Sequence, residues 1–253
     1  MRGALFRLFS PCFLFLAVLH PLNLPAQQPD YAIDSWVGPD FRSRARPFFA
    51  TLTLQTALGG IPSPSSTHRM AVGILLAGGG HGGVPDLSLG GGKPGIIPAL
   101  YGHYRVTSNL ALNGLYSGFL SRGDVVILTR YGLNLKLSPG KERTWTWMLH
   151  VLMGTLQGPD DFFLKTVDAG VSRRINYRGW EGWAGFGLNT FAAGIHVHNV
   201  DPGLNLNTRM EGEINSIFFG VRRRVGPDLE GSLEGSVGPS VLGIAIGVHK
   251  LIG

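Results

Sequence analysis

The residues best suited to chemistry are two histidines in the segment Ile195-His196-Val197-His198-Asn199. Side chains two positions apart in a β-strand share a face, so His196 and His198 would lie side by side. Two imidazoles so placed can bind a metal ion, but the other histidines are distant in sequence and add no ligand spacing. As a general base, His196 would need a carboxylate such as Glu211 or Glu213 to orient it. We expect no metal and no cofactor, and His196 with Glu211 are the only catalytic candidates.

This histidine segment resembles the His-x-Ser-Asn motif of outer-membrane lipid A deacylases and phospholipases. In those enzymes the histidine is the general base and the serine is the nucleophile. In this chain His198 stands at the serine position, which removes the nucleophile. More strands are also predicted after the histidine segment than follow the motif in the small deacylases. The resemblance implies an outer-membrane lipid hydrolase that uses His196, and this function remains an alternative to a non-enzymatic protein.

Most of the chain alternates between apolar and polar residues with the period of a β-strand. In the run 125–137 the odd positions are mostly apolar, and the even positions from Arg130 onwards are mostly polar. The run 144–154 repeats this pattern around Trp145 and Trp147. Each run therefore presents one apolar and one polar surface, and at about 9–11 residues it can cross a membrane as a tilted strand.

We predict an all-β fold, namely a closed antiparallel transmembrane β-barrel of about 10–12 strands. About eleven alternating runs are recognisable, the first at 48–58, and bacterial barrels usually have an even number of strands. A short first strand at 31–37 would give about twelve, whereas treating one weak run as a loop would give about ten. The long loops 78–95 and 199–207 would then share the extracellular side, opposite short periplasmic turns such as Ser108-Asn109.

Period-two alternation alone leaves open which face is inside, because a soluble lipocalin-like barrel buries its apolar face. Three features favour an apolar face turned to lipid. The polar faces carry charges of both signs, which can pair in a wet lumen; aromatic residues lie near strand ends, where interfacial girdles occur; and a barrel of this size has room for a polar interior. The predicted lumen-lining residues are Arg105, Asn113, Arg130, Asn134, Lys136 and Asp168. The predicted girdle residues are Tyr104, Trp145, Trp147, Phe162 and Phe163.

The composition argues against other classes of protein. The chain has 253 residues, of which 15% are charged and 38 are glycine, and no apolar run after the N-terminus is long enough for a membrane-spanning helix. The net charge is +6, but the basic clusters Arg173-Arg174 and Arg222-Arg223-Arg224 end apolar runs, as solvated or lipopolysaccharide-facing strand ends would. We therefore expect no nucleic-acid partner. The single cysteine, Cys12, lies in a predicted signal peptide, so disulfide chemistry is not expected.

The N-terminus is typical of secretion. Residues 1–26 combine Arg2 and Arg7 with an apolar run and a small residue, Ala26, at the expected cleavage site, so they are predicted to be a secretory signal peptide. Residues 27–46 would be a lead-in or a short first strand, and residues 47–253 would form the β-barrel domain.

The signal peptide, the glycine-rich alternating strands and the absence of cysteine from the mature chain together resemble bacterial outer-membrane β-barrel proteins. The chain departs from them by ending in Lys250-Leu251-Ile252-Gly253 instead of an aromatic residue. The resemblance implies a Gram-negative outer-membrane protein, structural or a porin-like narrow pore with a polar, charged lumen through which small polar solutes could pass. Its partners would be outer-membrane lipid, lipopolysaccharide and the barrel-assembly machinery. A soluble periplasmic barrel that binds an apolar ligand is the remaining alternative.

Overall fold

The computed structural model describes residues 31, 33, 39–59, 68–81, 96–121, 124–137, 145–197, 206–239 and 241–253. The signal peptide predicted at 1–26 lies outside this part of the chain. In the described residues one helix, α1 (Phe41–Ala57), precedes the strands. The strands are β1 (Met70–His81), β2 (Ile96–Arg105), β3 (Leu110–Ser121), β4 (Asp124–Lys136), β5 (Trp145–Gln157), β6 (Phe162–Tyr177), β7 (Trp180–Val197), β8 (Leu206–Arg224), β9 (Leu229–Val237) and β10 (Val241–Ile252).

The strands form a closed barrel in which each pairs with its neighbours in sequence and β1 pairs with β10. Every pairing is antiparallel, with Met70 opposite Ile252 at the seam. The closed barrel confirms the predicted fold class, with ten strands. We call the end at which β1 begins and β10 ends the termini end, and the opposite end the helix end. The strand ends joined by 82–95 and by 198–205 both lie at the helix end, on one side as predicted.

The prediction of a strand at 48–58 is wrong, because residues 48–57 belong to α1 and Leu58 directly follows it. The helix lies inside the barrel and is buried on every side from Phe48 to Thr56, so it lacks the one-sided apolar stripe of a surface helix. Its threonine hydroxyls find acceptors within the helix: Thr51 Oγ1 donates to the Pro47 carbonyl at 2.9 Å and Thr53 Oγ1 to the Phe49 carbonyl at 2.7 Å. Alternating leucine and threonine therefore suits this buried helix as well as it suits a strand.

The short first strand considered at 31–37 is described only at Tyr31 and Ile33, and neither residue is in a strand. The barrel proper therefore begins at Met70. Part of the glycine-rich stretch predicted as a loop is strand, since β1 continues to His81.

The apolar face of the barrel is on the outside. Leu133 and Trp147 are each 47% exposed, whereas Arg130, on the same strand as Leu133, is 3% exposed and points inward. β10 shows the same alternation, with Leu242, Ile244, Ile246 and Val248 exposed. Such an exterior is costly in water and is what a transmembrane barrel requires. Across the described ranges, no helix is long and apolar enough to span a membrane.

Aromatic side chains form a girdle around the outside at the termini end. Its members are Tyr104, Trp147, Tyr177 and Trp180, all exposed. Arginines lie over three of these rings: Arg173 over Trp147 at 5.7 Å, Arg178 over Tyr177 at 5.1 Å and Arg223 over Trp180 at 4.9 Å from the centroids. Aromatic rings paired with cations suit the polar boundary of a membrane.

Two sequence predictions at strand ends are corrected by this arrangement. Phe162, predicted for the girdle, is 2% exposed inside the barrel, while its neighbour Phe163 is 40% exposed outside. Arg222, predicted to be a solvated or lipid-facing strand end, is also buried inside. In each case the neighbouring residue takes the outer face, because successive side chains of a strand alternate.

Candidate functional site

The half of the barrel interior near the helix end is a dry apolar core. Helix α1 fills it, with the Phe49 ring 5.1 Å from that of Phe162 and 6.2 Å from that of Phe191. Tyr31 completes the cluster with its ring 6.0 Å from Phe48, and burial raises its pKa above the usual value. In this half the described interior is apolar and not the polar, charged lumen that the sequence predicted.

Two charged side chains of the barrel wall hold the C-terminal end of α1. The Arg130 guanidinium donates from Nη1 to the carbonyl oxygens of Thr56 and Leu58. Glu234 Oε2 accepts from the backbone N–H of Gly59 at 2.8 Å. The last carbonyls of a helix have no partner within the helix and carry partial negative charge, so a buried guanidinium there satisfies both needs. Gly59 has a φ of +77°, which glycine adopts without penalty, and this lets the chain turn away from the helix.

A cluster of buried charges occupies the interior near the termini end. Arg222 Nη2 lies 2.8 Å from each carboxylate oxygen of Glu181, and Arg222 Nε lies 3.4 Å from Glu230 Oε2. Arg174 forms a second ion pair with Glu181. We call Arg174, Glu181, Arg222 and Glu230 the ion cluster. Buried charges of this kind are tolerated only when they are paired, and the cluster places paired side chains across the interior near this end.

Between the ion cluster and α1 the interior is polar and hydrogen-bonded. His150 Nε2 lies 3.1 Å from Asp168 Oδ2, and Ser232 Oγ lies 2.8 Å from His249 Nε2. A serine–histidine pair is the start of a nucleophilic site, but a complete one needs a group that orients the histidine. Within the described chain, His249 Nδ1 has no hydrogen-bond partner, so the orienting group is missing. Ser232 and His249 are also both buried, so the pair is not presented to a substrate.

The predicted lumen-lining residues fall into two groups. Asn113, Arg130, Asn134 and Asp168 are buried in the barrel interior. Arg105 and Lys136 are the last residues of β2 and β4 at the termini end and are partly exposed.

The predicted catalytic residues do not form a site. His196 is on the outer face, stacked on Phe163 with the ring centroids 6.0 Å apart. Glu211 is exposed and pairs with Arg209 at 2.7 Å. His196 lies opposite Asn207 in the hairpin, which separates it from Glu211 by about 13 Å along the strand. His198 lies outside the described residues, and among those described no group of histidine, cysteine and acidic side chains could hold a metal ion.

Two members of the ion cluster, Glu181 and Arg222, were not predicted from the sequence as interior site residues. Glu181 could not be assigned to a face because glycines interrupt the alternation of β7. Arg222 was grouped with Arg223 and Arg224 as one solvated cluster. The alternation of β8 could have placed Arg222 in the interior, since it shares its face with Phe218 and Ser216, both of which point inward.

A cavity of about 760 Å³ opens at the helix end between α1 and β8. Over residues 206–216, β8 pairs with β7, and among the described strands none pairs with its other edge, because pairing with β9 begins at Ile217. The cavity follows this edge and mixes charges of both signs with apolar side chains, including Arg42, Arg46, Arg209, Glu213, Met210 and Ile214.

These features define a class of protein: a ten-stranded barrel with an apolar exterior, a helix of its own chain inside it, and paired charges in the interior near the other end. No protein-family model matches the sequence, and no curated protein is significantly similar to it.

Several solved barrels are similar to it in structure. The outer membrane protease OmpT from Escherichia coli has 11% identity and a TM-score of 0.44, with 75% of this chain and 99% of that chain covered. The KdgM porin has 8% identity and a TM-score of 0.39, with 72% and 99% covered. Neisserial surface protein A has 10% identity and a TM-score of 0.34, with 75% and 100% covered. The likeness extends to the barrel fold alone.

Proposed function

We propose that this chain is a structural outer-membrane β-barrel that is closed to solutes in its resting form. The observation that carries the proposal is the position of α1, whose side chains from Phe48 to Thr56 are all buried inside the barrel. These buried side chains fill the interior of that half beyond the cavity that opens between α1 and β8, and close-packed side chains leave no room for a column of water. The ion cluster adds a second closure at the termini end. The exposed apolar exterior supports a membrane location over the soluble periplasmic alternative.

The lengths of the connections between strands support an orientation in which the termini end faces the periplasm. Bacterial barrels place their longer loops outside and their short turns on the periplasmic side. The longest connection between described strands, 82–95, lies at the helix end, whereas short connections occur at both ends, such as 178–179 at the termini end and 122–123 at the helix end. Exposed basic side chains surround the same end, namely Arg69, Arg173, Arg178, Arg223 and Lys250. In this orientation the cavity beside α1 opens towards the cell surface and lipopolysaccharide. Insertion would depend on the barrel-assembly machinery.

A narrow pore is the second candidate function, and the polar lining between α1 and the ion cluster favours it. A purely structural barrel does not need the buried pairs His150–Asp168 and Asn189–Ser216. Departure of α1 would connect this polar region to the helix end. Solutes would then meet the ion cluster as the remaining constriction.

Planar-bilayer conductance of the refolded protein tests the proposal. We expect no stepwise conductance from the wild-type chain, because α1 and the ion cluster both block the interior. A persistent open conductance in the wild-type protein, with heat-modifiable gel mobility confirming a folded barrel, would contradict the closed structural role.

A pair of helix variants separates the structural barrel from the gated pore. Phe49→Asp places a charge in the dry core and favours release of α1, whereas Arg44→Asp changes the charge at an exposed position of the same helix. Stepwise conductance from Phe49→Asp and none from Arg44→Asp would favour the gated pore. No conductance from either folded variant would favour the structural barrel.

A further inference from the structure

Two glycines create a recess in the outer surface of the barrel. Gly102 on β2 lies directly opposite Gly114 on β3, and both belong to the outward-facing set of their strands. A Cβ built at Gly102 meets nothing within 4 Å, and one at Gly114 meets only the Arg130 carbonyl oxygen, at 3.7 Å. The pair therefore leaves open space at two facing positions of neighbouring strands.

The recess is the centre of an apolar groove of about 690 Å³. Val72, Ile74 and Leu100 border the glycines and are less exposed than the outward residues around them. Tyr116 bounds the groove towards the helix end, and Tyr104 with Leu112 bounds it towards the termini end. The groove belongs to the same apolar exterior that faces lipid, so its occupant must come from the membrane.

A cation lies at the edge of this groove. Lys250 on β10 is directly opposite Val72 on β1, on the outer face, and it lines the groove. It is two residues from the end of β10 and exposed, so its ammonium can reach the membrane interface. Arg69 precedes β1 at the same end and is also exposed. An ammonium beside an apolar groove complements a ligand that joins a hydrocarbon chain to a negative charge.

We propose that this groove is a binding site for one anionic glycerophospholipid of the leaflet at the termini end. One acyl chain lies along Gly102 and Gly114 between the two tyrosines, and the headgroup phosphate pairs with Lys250. The site rests on the outer surface alone and is independent of whether the interior conducts.

Native mass spectrometry of the detergent-solubilised protein, with added phosphatidylglycerol or phosphatidylcholine of the same acyl chains, tests this site. We expect one tightly retained phosphatidylglycerol per barrel. Gly114→Leu fills the recess and should weaken retention of both lipids about tenfold, since several methylene contacts are lost. Lys250→Gln should weaken phosphatidylglycerol about fivefold and phosphatidylcholine less, because the choline cation already offsets the phosphate charge of that headgroup.

Matched variants elsewhere on the exterior are the controls. Gly182→Leu replaces another outward glycine near the termini end, where the nearest atom to an added Cβ is 3.8 Å away. Arg223→Gln removes a cation that lies over Trp180. Neither should change lipid retention, and heat-modifiable mobility should show that every variant is folded. Equal retention of the two lipids by the wild-type barrel, or equal effects of Gly114→Leu and Gly182→Leu, would overturn the proposal.

Discussion

Replacing Arg222 with methionine should lower the free energy of unfolding by about 3–5 kcal/mol. The side chain pairs with both Glu181 and Glu230 in the barrel interior. Its removal takes one of the two arginines from Glu181, which keeps Arg174, and takes the guanidinium at 3.4 Å from the buried Glu230. Methionine keeps most of the volume of the arginine stem, so the loss reports on charge and not on a cavity. Urea unfolding in lipid vesicles, followed by tryptophan fluorescence, measures the change.

The neighbouring residue supplies the control for this experiment. Arg223 lies on the outer face with its guanidinium over Trp180 at 4.9 Å. An exposed cation–π contact of this kind contributes about 0.5–1 kcal/mol, so Arg223→Met should have a small effect. Comparable losses for the two variants would mean that Arg222 is not the centre of a buried cluster.

Truncating Phe162 to alanine should also cost about 3–5 kcal/mol, the usual range for a buried aromatic residue. Its ring lies 6.1 Å from Tyr31, 5.7 Å from Phe48 and 5.1 Å from Phe49. Because these three partners belong to the segment before the barrel, the variant should weaken the attachment of that segment as well as the fold. Limited proteolysis of α1 in vesicles, together with urea unfolding, measures both effects.

Phe163→Ala is the matched control, because it removes the same side chain one position away on the opposite face. Phe163 is exposed and stacks on His196, with Lys165 5.9 Å from its ring centroid. Its truncation changes contacts on the outer face only and leaves the interior intact. The loss in free energy of unfolding should therefore be well below that of Phe162→Ala. A larger loss of unfolding free energy for Phe163→Ala than for Phe162→Ala would contradict an apolar core inside the barrel.

The barrel itself could be predicted from the sequence because one physical rule governs most of it. A strand that separates two environments alternates with period two, and the predicted outward positions Leu133, Trp147 and Ile246 are exposed. The same rule placed Arg130 and Asp168 on the opposite face, and both are buried in the interior.

The helical plug could not be predicted by this rule. Helix α1 is surrounded by barrel wall, so apolar and threonine residues occupy every face and no 3.6-residue period appears. Its C-terminal partners, Arg130 and Glu234, are distant from it in sequence and are brought to it only when the barrel closes. The ion cluster was missed for a related reason, since the partners Glu181 and Arg222 meet through strand register.

A designed disulfide tests the position of α1 inside the barrel most directly. A Cβ at Gly79 on β1 would lie 3.1 Å from Thr51 Cγ2, close to the distance of about 3 Å between a Cβ and the far sulfur of a disulfide. The same Cβ would meet Gln55 Cγ at 2.8 Å, so the background carries Gln55→Ala together with Cys12→Ser. In this background Thr51→Cys with Gly79→Cys should form a cross-link on mild oxidation, detected as a linked peptide by mass spectrometry. Gly80→Cys in place of Gly79→Cys should not, because Gly80 faces outward. Absence of the first link, or equal linking through position 80, would contradict a helix packed in the lumen.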